Sequence, residues 1–287
     1  MALPTTLTRP LRQLVWPLVC LLPIVLTGCD LFHFNLLRPD RDPATLGAPA
    51  ALPNKNQQRV SQFVFIADSE LGQYQPLFTE LGHMREDLVT LLKLPNPTAL
   101  VNVYLFEDRE HYERFMRARY PDLPLRRAFF VAQPRGMGGS DDLLVFTFRG
   151  EHLRQDLRHE LTHAVLHSVL KDVPLWLDEG LAEYFELPRE VHGVNRPHLA
   201  QMLREGFHPD LSRLEMFTQV QQMNPAEYRE SWAWVHLMLH SQPESRQALT
   251  DYLKQLRTTS SPGPIQPKLK NCFPDPNEAL IAHLAKL

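Results

Sequence analysis

His159-Glu160-Leu161-Thr162-His163 sets two imidazoles four residues apart with a carboxylate between them. On an α-helix that spacing turns through about 40° and climbs about 6 Å, so both rings can aim at one ion. Glu160 stands about 100° around from His159, beside the ion rather than on it, where a carboxylate can take a proton from a water. Two histidines are one protein donor short of the set that holds catalytic zinc, so a third donor must come from elsewhere in the fold. Glu179 is the candidate, in the run Pro174-Leu175-Trp176-Leu177-Asp178-Glu179-Gly180-Leu181-Ala182-Glu183-Tyr184. The gap after His163 is long enough to end one helix, turn at Val173-Pro174 and start a second helix back across the site. Glu183 falls one turn further on, placed to accept from the distal ring nitrogen of His159 or His163 and fix its tautomer. Gly180 is expected to let these two helices approach closely.

The same residues resemble the gluzincin superfamily of metallopeptidases, in which a helix bearing H-E-x-x-H precedes a second helix with a glutamate ligand. The run from Trp176 to Phe185 resembles the signature around that ligand in peptidase MA-like and M1 aminopeptidase-like branches. The segment from about Val101 to Glu186 is similar to a bacterial group of secreted or lipoprotein peptidase MA-like domains of unknown function. The resemblance implies a zincin-like α+β fold, a Zn2+ cofactor, a peptide or protein substrate, and a small mixed sheet ahead of the metal helix. In such folds an edge strand beside the ion can pair with an extended peptide, which favours endopeptidase cleavage. It also implies a far-wall helix, matched by Tyr228-Arg229-Glu230-Ser231-Trp232, from which Tyr228 would donate to the oxyanion, with His236 and His240 as further candidates. One departure is plain. No G-x-M-E-N motif is present, and Gly136-Met137-Gly138-Gly139 upstream of the metal helix carries no glutamate, so aminopeptidase activity is not implied.

The start of the chain predicts a compartment. Arg9 and Arg12 precede an apolar run from Leu14 to Leu26 that is broken by Pro17 and Pro23 and short for a membrane span. Leu26-Thr27-Gly28-Cys29 resembles a bacterial lipobox, which implies a signal peptide over residues 1–28, a lipid on Cys29, and attachment to a membrane of the bacterial cell envelope. With Cys20 lost in the leader and Cys29 acylated, Cys272 would stand alone, so neither an internal disulfide nor a cysteine metal site is expected.

The charge is slightly acidic, 30 basic against 33 acidic residues, which gives no reason to expect nucleic acid as a partner. Proline, 25 in all, clusters between Leu37 and Pro53 and between Ser260 and Pro267. The expected organisation is a Pro-rich tether over 29–57, one domain over 58–258, and a linker with a short C-terminal helix over 259–287. Apolar patterning predicts strands at Phe63–Ala67, Leu100–Phe106, Ala128–Ala132 and Leu143–Phe148, with helices over Tyr74–Leu94 and Asp108–Tyr120. Further helices are expected over His198–Glu205, Pro225–His240 and Glu244–Arg257. His167 continues the four-residue spacing but is carried along the axis away from the ion, so a packed, hydrogen-bonded role is expected for it. Tyr184 and Phe185 read as core aromatics. Against the zinc peptidase stand two alternatives: a catalytically inactive scaffold or binding lipoprotein on the same fold, and a zinc hydrolase of non-peptide amides in the cell wall.

Overall fold

A computed structural model describes residues 51–134 and 141–287. The signal segment, Cys29 and Gly136-Met137-Gly138-Gly139 lie outside the described residues. The domain is α+β, with a five-stranded mixed sheet followed by helices.

The sheet is built from β1 (Asn56–Val60), β2 (Phe63–Ala67), β3 (Val101–Phe106), β4 (Ala128–Gln133) and β5 (Asp142–Phe148), in the order β1-β2-β3-β5-β4. The three central strands run parallel, and β1 and β4 flank them antiparallel. Parallel strands need crossovers, supplied by α1 (Gln75–Leu91) and α2 (Arg109–Arg119). The helices cover opposite faces, which is why β3, β4 and β5 read as nearly continuous apolar runs. Alternate residues separate cleanly. Val103, Phe130, Ala132 and Val145 enter the main core with Phe78, Leu81 and Leu88 of α1, while Phe106, Phe129, Val131 and Phe146 meet Tyr112, Phe115 and Met116 of α2. α2 begins where the sequence places its cap, with Asp108 accepting from His111 N–H at 2.9 Å.

β1 was not expected, and it takes in Asn56 and Gln57, which the sequence assigns to the tether. It is a half-buried edge strand of polar residues, so it carries no apolar signal. It turns into β2 through Ser61, held at φ 57°.

Helix α3 (Leu153–His167) lies on the main-core face of the sheet and α4 (Leu175–Phe185) crosses it, beginning just after Pro174. Almost every residue of α4 is buried, including Asp178 and Glu179. α5 (Arg196–Glu205), α6 (Leu211–Leu214), α7 (Pro225–His240) and α8 (Pro243–Leu256) follow, and α4 packs closely along α7. Gly180 makes that approach possible: a Cβ there would stand 2.5 Å from the Ser231 carbonyl oxygen. The glycine therefore serves the contact of α4 with α7, not the expected contact with α3, the helix that carries His159 and His163. Residues 259–287 carry two helices rather than one, α9 (Gln266–Cys272) and α10 (Pro276–Leu284). Leu269, Leu280 and Leu284 belong to the same core as α7. No described helix is long and apolar enough to cross a membrane.

Candidate metal centre

α3 presents His159 and His163 one turn apart, with ring centroids 4.9 Å from each other. α4 brings Glu179 to both: its Oε2 lies 3.5 Å from His159 Nε2 and 3.7 Å from His163 Nε2. Donors held about 2.0–2.1 Å from a tetrahedral zinc stand roughly 3.3 Å apart, so the spacing suits that ion. Glu179 is 2 % exposed, and its Oε2 is buried without a hydrogen-bond partner. An orphaned carboxylate oxygen facing two imidazoles is costly unless a cation joins them. His159, His163 and Glu179 therefore fit a metal ion by donor chemistry, convergence and burial.

Each imidazole has an acid behind it. His159 Nδ1 lies 3.2 Å from Glu186 Oε2, and His163 Nδ1 lies 3.0 Å from Asp178 Oδ2. The Glu186 hydrogen bond sets the tautomer that leaves His159 Nε2 for a metal, while Asp178 places its charge beside His163 Nδ1 without hydrogen-bond geometry. Asp178 also takes His167 Nε2 at 3.0 Å, which gives His167 the hydrogen-bonded role expected of it. Burial alone would raise Asp178, but His163 and His167 together hold its carboxyl far below the usual range. Burial would lower His159 and His163, yet Glu179 and Glu186 raise the first and Asp178 the second. Surroundings that favour a proton on these rings also favour a divalent cation between them.

Glu183, expected behind one of these histidines, is turned elsewhere: its Oε2 pairs with His198 Nε2 of α5 at 2.8 Å. His159, Glu183 and Glu186 form a second potential metal group. Glu183 and Glu186 are both engaged there, Glu186 with Gln155 at 3.0 Å, so the set with Glu179 is the better one.

Glu160 points into a cleft of about 530 Å³ that His159, Arg126, Ala128, Glu183, Glu186, His198 and Tyr228 also line. Burial pushes its carboxyl above the ordinary range, against the pull of His159 and His163. The Phe130 N–H donates to Glu160 Oε2 at 2.7 Å and fixes the side chain. That N–H cannot also serve β5, so by the β4–β5 register the backbone groups of Ala128, Phe130 and Ala132 face away from β5 along the outer edge of the sheet.

Tyr228, from the first turn of α7, reaches the same cleft, and its hydroxyl accepts from Arg126 Nη2 at 3.4 Å. Burial, then Glu179, pushes the phenol up, so it remains a proton donor at neutral pH. The other oxyanion candidates are elsewhere. His236 Nδ1 meets His283 Nε2 at 2.8 Å, and His240 Nε2 meets Tyr184 OH at 2.7 Å. Tyr184 and Phe185 are buried aromatics.

Four residues of the site were missed by sequence reasoning: Asp178, Glu186, His198 and Arg126. Asp178 and Glu186 had a signal, since both are acids within a turn of Glu179 or Glu183. His198 and Arg126 had none, because each arrives from an element whose packing the sequence does not reveal. No protein-family model matches the chain, and no curated protein matches it.

Proposed function

We propose that the chain is a zinc-dependent peptidase with a zincin-like fold, held at a bacterial membrane by a lipid on Cys29. The observation that carries this reading is the convergence of His159 Nε2 and His163 Nε2 on the orphaned Glu179 Oε2, at 3.5 and 3.7 Å. The lipid attachment is supported by the residues around Cys29 alone.

His159, His163 and Glu179 would hold Zn2+, and the ion when bound would supply Lewis-acid polarisation of a carbonyl and lower the pKa of a water toward neutrality. Glu160 takes the proton from the attacking water and returns it to the departing amine. Burial raises its carboxyl above the ordinary range, which makes it a stronger base for that exchange. Tyr228 OH donates to the oxygen that becomes negative as the water adds. Asp178 and Glu186 keep the two imidazoles aimed. β4 lies along the outer edge of the sheet beside Glu160, which supports an extended substrate paired with that strand and cleavage within a peptide rather than at its amino terminus.

Elemental analysis of the purified chain beside Glu179→Ala, with hydrolysis of an unstructured protein followed on the same samples, tests the reading. Stoichiometric zinc in the wild type, lost in the variant, together with chelator-sensitive cleavage is the expected result. Zinc without cleavage would leave a scaffold on this fold, and wild type without zinc would overturn the site.

A further inference from the structure

Among the described residues, each cationic or imidazole side chain that lines the cleft has a carboxylate partner, with one exception. Arg127 holds Asp156 through Nη2 at 2.8 Å and Nε at 3.1 Å. Arg229 pairs with Glu205, and His198 with Glu183. Gln155 donates to Glu186, and Glu160 accepts the Phe130 N–H. Arg126 has no carboxylate within salt-bridge distance among the described residues, and its one hydrogen bond goes to the neutral Tyr228 hydroxyl, long at 3.4 Å. The side chain is exposed to the cleft, two residues ahead of β4, with its guanidinium carbon 6.0 Å from the centre of the Phe129 ring.

Electrostatics makes this lone cation more conspicuous in the working site. Glu179 and Glu160 are the acids that act on Arg126 from across the cleft. A divalent ion held by His159, His163 and Glu179 balances those two carboxylates. The guanidinium is then left as an uncompensated positive charge in a concave, partly desolvated place, and its planar fork suits a carboxylate.

We propose that Arg126 is a specificity determinant that binds a substrate carboxylate beside the scissile bond, so that the preferred peptides carry an acidic side chain or a free C-terminal carboxylate there. This rests on the peptidase reading for its location but not for its chemistry. The Tyr228 hydroxyl, which accepts from Arg126 Nη2 at 3.4 Å, ties the guanidinium to the same cleft.

The test uses the full chain carrying Glu160→Gln, so that peptides bind without being consumed. Three fluorescent peptides of one sequence are compared by anisotropy: one neutral with a C-terminal amide, one with an internal Glu for Gln, and one with a free C-terminus. The expected result is that one carboxylate form binds about tenfold or more tighter than the neutral form. That preference should vanish when Arg126→Gln is added and survive in part with Arg126→Lys, which keeps the charge and loses the fork. The internal-Glu and free C-terminus arms tell the two carboxylate sources apart. Equal binding of all three forms, no binding of any, or a preference that outlasts Arg126→Gln overturns the inference, whether or not the wild type cleaves protein. Wild type that cleaves nothing while the Arg126-dependent preference holds would instead sink the peptidase reading and leave carboxylate recognition standing. Equal zinc content and circular dichroism across the Arg126 variants exclude misfolding as the cause.

Discussion

Asp178 is a buried acid that stands behind His163 Nδ1 and also pairs with His167 Nε2. Replacing it with Asn keeps the shape and removes the charge, leaving His163 free to present the wrong nitrogen. Asp178→Asn should weaken zinc binding by about 10- to 100-fold, read by competition with a chelator. Unchanged affinity would show that helix geometry alone orients His163. Tyr228 is a different case, since its hydroxyl is asked to act only as charge develops. Tyr228→Phe should lower kcat about 100- to 1,000-fold while KM and zinc content stay close to wild type. A loss confined to KM would make Tyr228 a binding residue and return the oxyanion role to another donor.

The contact between α4 and α7 determines whether Glu179 reaches the histidines at all. α4 carries Glu179 on one side and Gly180 on the next, and Gly180 meets the Ser231 backbone, which cannot swing aside as a side chain would. Val235 Cγ2, 3.0 Å from the same point, closes the other exit. Gly180→Ala should therefore push the two helices apart and cost about 1–3 kcal/mol, the usual scale for overpacking a tight core. Thermal unfolding gives the stability change, and zinc content on the same sample should fall because Glu179 moves with α4. A variant as stable as wild type with full zinc would mean that α7 yields easily.

α10 closes the fold by a cluster of histidines rather than by apolar residues alone. His236 and His240 of α7, His283 of α10 and His192 of the connection between α4 and α5 line one cavity, with Tyr184 of α4 hydrogen-bonded to His240. The nearby cations are Arg246 of α8, beside His240, and Lys286, beside His283. Burial, then His240 and His283, lowers His236 to about 3, and burial, then Arg246, lowers His240 to about 4. A histidine held below its unfolded value of about 6.5 favours the fold while neutral, so its contribution is complete above that pH and is lost as the pH falls. His236 is 2 % exposed and sets the scale, about 1.4 kcal/mol per pH unit below about pH 6. His240 is exposed, and solvent screening reduces its share. Urea midpoints taken from about pH 7 down to about pH 4.5 should fall along that slope and flatten in His236→Gln. A flat profile in the wild type would show that the cluster takes up protons without strain.

Much of this domain was legible before folding. His159, Glu160 and His163 share a face because helical geometry is covalent and local, so their spacing alone places them together. The strands at Phe63, Val101, Ala128 and Leu143 and the helices at Gln75, Arg109, Pro225 and Pro243 follow from periodicity and caps in the same way. β1 escaped because its residues are polar, and α9 because it starts inside a proline cluster. The partners of the site were another matter. That Glu183 turns to His198 while Asp178 and Glu186 stand behind His163 and His159 depends on where α5 and α4 settle against α3. That Gly180 serves α7, that β4 is the edge strand beside Glu160, and that Arg126 enters the cleft with no carboxylate partner among the described residues are likewise decided between elements distant in sequence. Contacts within one turn are set by the chain's own geometry, whereas contacts between elements are set by the packing of all of them together.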